Sequence, residues 1–227
     1  MSRRARPKAA AGRPACPDLL DLIEVFGRIL SRRSGLIPLG TMEVKGTAFL
    51  ARKAMLIQEI GEQRYATFIA AYALEDPFFA HAILATTTIP IEKFIAFNDA
   101  MVRDLYGGDT MSYLRFGEKS AEWALTVGPY KNLRESKSLE KFAEMGRLLY
   151  QNYFSNGRAE TWIVSDNKVE LRIVGVPAEY RHVYFEYAIV AYFKRGLELV
   201  GAKKVTMRRL SGFSVGDAEV HYEYRLR

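Results

Sequence analysis

The chain is poor in the residues that carry covalent and metal chemistry. One cysteine, Cys16, and three histidines, His81, His182 and His221, serve 227 residues. A single thiol excludes a disulfide within the chain and any zinc site that needs two thiolates. The histidines are far apart, with no His-Glu-x-x-His or comparable ligand spacing. Phosphate loops of the Gly-x-x-x-x-Gly-Lys type, Gly-x-Gly-x-x-Gly turns and the Gly-x-Ser-x-Gly elbow are absent too. Ser211 and Ser214 have no base in their company, and Gly107-Gly108-Asp109 reads as helix punctuation. No apolar run approaches the ~20 residues of a membrane-spanning helix. The amino-terminal segment lacks the apolar middle of a secretory signal, and no hydrophobic run precedes Cys16. A cytoplasmic, soluble protein is the expectation.

The amino-terminal segment has no acidic residue. Residues 1–17 hold Arg3, Arg4, Arg6, Lys8 and Arg13 and no acid, so of 33 basic residues 28 remain to face 26 acidic ones in the rest. The formal charge of +7 therefore belongs mostly to this segment. Pro7, Pro14 and Pro17 oppose regular structure there, which predicts a disordered basic tail. The tail reads as a solubilising appendage or as an arm for an anionic surface. An Arg- and Ala-rich start of this kind also suits an organelle transit peptide. With 49% hydrophobic and 26% charged residues, the remainder is an ordinary globular composition.

Periodicity divides the chain into a helical part and a strand-rich part. Residues 18–35 read as an amphipathic helix and linker, with Leu19, Leu22, Ile23, Phe26, Ile29 and Leu30 at helical spacing and Gly35 as the stop. It docks on the domain or binds a partner. Met42-Glu43-Val44-Lys45-Gly46 suits a short strand. Helices are then expected with faces at Leu50, Ala51, Ala54 and Ile57, and at Tyr65, Phe68, Ile69 and Tyr72. A third begins at Asp76-Pro77, a fourth after Pro90, a fifth capped by Asp109, and a sixth from Ser136 or Ser138 to about Asn156. After Gly157 the pattern alternates. Trp162 and Val164, then Val169, Leu171 and Ile173 around Asp166-Asn167, predict a hairpin. A long helix follows through Val183, Tyr187, Val190, Phe193, Leu197 and Val200. Val205 and Met207, then Val220, Tyr222, Tyr224 and Leu226, predict a second strand pair. The fold class is α+β, residues 36–227 forming a single domain: a helical amino-terminal part packed on an antiparallel sheet built from two carboxy-terminal hairpins that flank a long helix.

Candidate sites are few. His81, among Phe78, Phe79 and Ile83, is the histidine best suited to a buried functional role. His182 begins a helix, where capping is its ordinary use, and His221 falls on the polar side of a strand. Glu135, Glu140 and Glu144 share a helix with Lys137, Lys141 and Arg147 as a solvated face. The basic residues Lys203, Lys204, Arg208 and Arg209 gather around one strand and form a candidate phosphate-contacting patch, offset by Glu219 and Glu223 across the hairpin. Thirteen tyrosines and thirteen phenylalanines are many for a chain without a catalytic motif. They suit core packing, or an apolar ligand pocket with phenolic handles. Phe78, His81, Phe97, Tyr153 and Tyr187 are its candidate lining.

Lys45-Gly46-Thr47-Ala48-Phe49-Leu50, Phe116-Gly117-Glu118-Lys119-Ser120-Ala121, Tyr150-Gln151-Asn152-Tyr153-Phe154-Ser155-Asn156-Gly157 and Gly201-Ala202-Lys203-Lys204-Val205 carry a resemblance over residues 40–227. In that order they are similar to the superfamily of haem–nitric-oxide sensors, vinyl-reductase-type ligand-binding domains and Golgi transport-particle subunits. Within it the chain looks most like a group of comparably sized proteins typical of myxobacteria. The resemblance implies a hydrophobic ligand cavity or an interaction platform, often dimeric. It carries no functional residue over. Vinyl-reductase-type domains hold zinc with cysteines around the last helix and hairpin, where this chain has Ser211, Phe213 and Ala218. Haem-binding members use a histidine and Tyr-x-Ser-x-Arg, whereas Tyr153-Phe154-Ser155-Asn156-Gly157-Arg158 is one residue too long. No cofactor is therefore expected, and neither haem nor zinc is implied.

The leading expectation is a non-enzymatic sensory or signalling domain that binds a small apolar ligand or serves as an adaptor, as a homodimer or with a protein partner. An interaction scaffold using the amino-terminal helix and tail is the alternative. Nucleic-acid binding through the tail and Arg208-Arg209 is the less favoured one, because the body is near neutral.

Overall fold

The computed structural model describes residues 41–227. The basic tail over 1–17 and the helix and linker expected over 18–35 lie outside the described residues. Strand β1 (Glu43–Lys45) pairs antiparallel with β2 (Thr88–Pro90). Three residues are too few to show an alternation, which is why β2 does not stand out in the sequence. Helix α1 (Gly46–Ile60) hands over to α2 (Glu62–Glu75) through Gly61, whose φ of 81° only glycine adopts without strain. The helix expected after Asp76 is a single 3-10 turn, Pro77–Ala80, because the Asp76 carboxylate accepts the Phe78 N–H and the chain turns out again at His81.

Helix α3 (Ile91–Leu105) starts directly after Pro90. Asp109 shapes the turn before α4 (Ser112–Thr126) by accepting the Met111 N–H, without occupying the cap position itself. A six-residue helix, α5 (Lys131–Ser136), precedes α6 (Leu139–Tyr153), and of the two serines it is Ser138 that caps α6, accepting the Lys141 N–H. Among the described residues the charged side chains at 135–147 make no ion pair with one another.

The carboxy-terminal half builds the sheet. Strands β3 (Arg158–Ser165), β4 (Lys168–Val174), β5 (Val205–Ser211) and β6 (Val220–Leu226) run antiparallel in the order β3-β4-β6-β5, and helix α7 (Val183–Leu199) connects the two hairpins. Val169, Leu171 and Ile173 of β4 and Val220, Tyr222 and Tyr224 of β6 are buried against helices, as their alternation predicts. Strand β3 departs from its pattern. Its inward residue is Ala159, and Thr161 donates to the Ala143 carbonyl of α6, while Trp162, Ile163 and Val164 are 38%, 42% and 47% exposed. As an edge strand with a register shift after Ile163, it runs out past the helices that cover the sheet.

Two close approaches set the frame. Gly117 of α4 lies against the backbone of Ala188 and Tyr192 in α7, where a Cβ would collide with main-chain atoms that cannot step aside. At the helical end, Phe97 sits 5.1 Å from both Phe49 and Phe79, in a cluster that also holds Phe68 and Tyr72. Among the described residues no helix is long and apolar enough to cross a membrane.

Candidate ligand-binding site

The interior holds a cavity of about 70 Å³ where α1, α4, α6 and α7 meet the inner face of β3 and β4. Its walls are mainly apolar: Ala48 and Ala51 from α1, Leu149 from α6, Phe154, Ala159 and Leu171 at the sheet, and Ala188, Ile189 and Phe193 from α7. Small residues make the space. Gly117 and Gly146 lie on its lining, and each allows a close approach: a Cβ at Gly117 would meet the main chain of Ala188, and one at Gly146 the side chain of Thr161.

The polar lining consists of Arg52, Ser120 and four tyrosines, Tyr150, Tyr153, Tyr184 and Tyr192. Burial raises the pKa of all four phenols, so each stays a neutral hydroxyl. The Tyr150 hydroxyl donates to the Asn156 carbonyl. The Tyr192 hydroxyl is buried near that of Tyr153 and makes no hydrogen bond of normal geometry.

Arg52 is 2% exposed. Its Nε donates to Asn98 Oδ1 at 3.0 Å, one Nη reaches Met55 Sδ at 3.6 Å, and Cζ stands 4.4 Å from the centre of the Phe116 ring. The Tyr184 hydroxyl lies beside the guanidinium, and burial pulls its ionisation down from the usual arginine value. Among the described residues no carboxylate lies within ion-pairing distance of it. Two further tyrosines near it are bonded to acids: Glu59 takes the Tyr106 hydroxyl at 2.6 Å and Arg115 Nε at 2.8 Å, and Asp99 takes the Tyr113 hydroxyl.

Of the five residues expected to line a pocket, only Tyr153 does so. Phe97 belongs to the core cluster of the helical end, and Phe78 packs at its margin against Phe79. Tyr187 lies half-buried on the other side of α7. His81 is exposed at the end of the 3-10 turn, because the shortened helix never carries it inward. The other histidines have structural uses. His182 caps α7, its Nδ1 accepting the Tyr184 N–H, with Nε2 3.5 Å from Asp99. His221 is not a free surface residue: it bonds Glu170 at 2.8 Å and packs on Trp162.

The basic patch does not form as one surface. Arg208 lies on the outer face of the sheet, bonded to Glu223, and Arg209 lies on the helix side, bonded to Glu186 and Ser214, because adjacent strand residues point to opposite faces. Lys203 and Lys204 stand exposed in the link before β5. Among the described residues no group of three or more His, Cys, Asp or Glu is arranged to hold a metal ion.

No protein-family profile and no curated protein matches the sequence. Solved structures do match the fold. An H-NOX protein from S. oneidensis in the Fe(II)NO ligation state superposes with a TM-score of 0.62 at 9% identity, covering 81% of this chain and 99% of that one. An oxygen-binding H-NOX domain related to soluble guanylate cyclases, in its oxygen complex, gives 0.60 at 11%, covering 81% and 95%. A Cs H-NOX variant carrying 4-cyano-L-phenylalanine gives 0.60 at 11%, covering 81% and 96%. The chain has the H-NOX fold, as the order of its sequence segments suggested.

Proposed function

We propose that this domain is a non-catalytic sensor that binds a small ligand in the cavity between α1, α4, α6, α7 and the sheet. The observation that carries the reading is a cavity with apolar walls, neutral phenols and one buried cation, built at the junction of the helices and the sheet. Among the described residues no histidine, cysteine or carboxylate lines it, so these offer no general base and no nucleophile paired with one. Helix α7 borders the cavity and, through Glu186, also holds the loop between β5 and β6, so ordering of α7 by a ligand would be felt at that loop.

Haem is the group that the fold implies, and the residues present do not fit it. A volume of about 70 Å³ holds a handful of water molecules at ~10–15 Å³ of space for each water centre, too little for a macrocycle. The tyrosines are held protonated by burial and make poor iron ligands. Arg158 is exposed and bonded to Glu160 at 2.7 Å, directed away from the cavity. The ligand is therefore small and not a porphyrin.

The test is a native mass spectrum, with an absorption spectrum, of the full chain isolated from its own host. The expected result is a small-molecule adduct lost on activation and no Soret band. A bare mass under gentle desolvation, repeated after host-extract incubation, counts against ligand binding, and a Soret band counts against the exclusion of haem.

A second reading, an interaction platform, rests on Trp162, Ile163 and Val164 exposed in succession on the free edge of β3. Such an edge invites pairing with another strand. Pairing of two copies there predicts a dimer in sedimentation that Ile163→Lys dissociates.

A further inference from the structure

Arg52 and Tyr192 face the same cavity from different helices. The Tyr192 hydroxyl is buried without a hydrogen bond of normal geometry, which more than nine in ten buried polar groups have, and among the described residues Arg52 has no carboxylate partner. A guanidinium has five N–H donors. The protein engages Arg52 Nε with Asn98 and one Nη with a thioether, which is a weak acceptor. The Phe116 ring face and the Tyr184 hydroxyl moderate the charge without neutralising it. Water in the cavity would satisfy the Tyr192 hydroxyl but would leave a desolvated cation without a counter-ion.

We infer that the cavity takes a small planar oxyanion, either a short-chain carboxylate or an inorganic ion such as nitrate, seated on the Arg52 guanidinium with the Tyr192 hydroxyl as a second donor. This rests on the reading of the cavity as a ligand site and names the class of ligand. Planar oxyanions match the guanidinium fork with two parallel hydrogen bonds. The small volume favours formate, acetate and nitrate over longer acids. The apolar walls at Leu149, Ile189 and Phe193 give a methyl group a dry seat but offer a second charge nothing, so the ligand is a monoanion.

The experiment is thermal melting and calorimetric titration of the full chain with formate, acetate, nitrate and butyrate at constant ionic strength, chloride being the reference salt. Acetamide, which has the shape of acetate without the charge, is the control. The expected result is a saturable rise in melting temperature with formate, acetate or nitrate, and none with butyrate or acetamide. Binding by acetate alone assigns the source to carboxylates, and binding by nitrate alone assigns it to inorganic ions. Arg52→Met is expected to melt close to wild type without anion and to lose the rise. Tyr192→Phe is expected to weaken binding about fivefold, the loss of one hydrogen bond.

The inference is overturned if no anion gives a saturable rise in the wild type, if acetamide matches acetate, or if Arg52→Met keeps the response. Should Arg52→Met fail to fold, acetamide and Tyr192→Phe still decide the matter. A neutral adduct in the native spectrum, with no anion binding, sinks the oxyanion and leaves the sensor reading intact. A bare native mass with no anion binding sinks both.

Discussion

Glu223, on the outer face of the sheet, is 1% exposed and accepts hydrogen bonds from Lys168, Arg208 and Arg225 at 2.6, 3.1 and 2.9 Å. Glu186, on α7, is fully buried and takes the Tyr222 hydroxyl, the Ser214 N–H and Arg209 at 2.7, 2.8 and 3.3 Å. Arg52, at the other end of the same core, is 2% exposed with no carboxylate beside it. The carboxylates are handled as stability requires, since an unpaired buried charge is costly. The fold therefore has the means to pair its charges. The tyrosines near Arg52 give their hydroxyls to other acids, Tyr106 to Glu59 and Tyr113 to Asp99, and the guanidinium faces the cavity.

The comparison is broken most directly at its paired side. Glu186→Ala leaves the Tyr222 hydroxyl and the Ser214 N–H without acceptors and frees the loop they hold. Urea denaturation is expected to show a loss of about 3 kcal/mol, the cost of two orphaned buried donors. A loss below about 1 kcal/mol would mean that water substitutes for the carboxylate and that pairing here is not structural. Gly117→Ala attacks the cavity side. Its methyl group meets the main chain of α7, so overpacking is expected to cost about 2 kcal/mol in the same assay and to abolish any ligand-induced rise in melting temperature.

The sheet and the long helix were legible because their alternations run for seven residues or more, long enough for one face to declare itself. Strand β2 was not, and neither was the end of β3: Trp162 and Val164 follow the alternating pattern, yet an edge strand is free to leave them exposed. The site was less legible still. The buried residues of α1 are Gly46, Phe49, Ala51, Arg52, Met55 and Leu56, so of the expected face only Ala51 is buried. Taking the apolar stripe to be Leu50, Ala51, Ala54 and Ile57 turns the helix and puts Arg52 in solvent. An arginine spaced three from a phenylalanine and three from a methionine was the available signal. Nothing in sequence tells a buried arginine with a partner from one without. His81 failed for a local reason, since Asp76 closes a single turn where a helix would have carried the ring inward.

At acid pH the paired side has its own test. Hydrogen bonds from Lys168, Arg208 and Arg225 hold the Glu223 carboxyl down at about 2 against an ordinary 4.5. A depressed carboxyl stabilises the fold fully above its unfolded value and loses that contribution as pH falls through the folded one. The wild type should lose stability between about pH 4.5 and 2 in part through this group. Glu223→Gln should flatten that limb of the profile while changing neutral-pH stability less than Glu186→Ala, because the three cations are partly exposed and keep water. An unchanged acid limb in the variant would show that the cluster is not coupled to folding.

The smallest expected effect is the most informative. Arg52→Met removes the Nε bond to Asn98 and leaves Oδ1 short of a donor, a loss of about 1 kcal/mol or more. It also removes a desolvated cation and puts in its place an unbranched apolar chain beside Met55 and Phe116, which favours the variant. The two effects oppose each other, so in anion-free buffer the change in unfolding free energy should lie within about 1 kcal/mol of zero. A cation serving the fold, as its partners do for Glu186, would instead cost about 3–5 kcal/mol when removed. Near-neutrality at Arg52 beside a large loss at Glu186 is the pattern of a charge kept for something that the described residues do not supply.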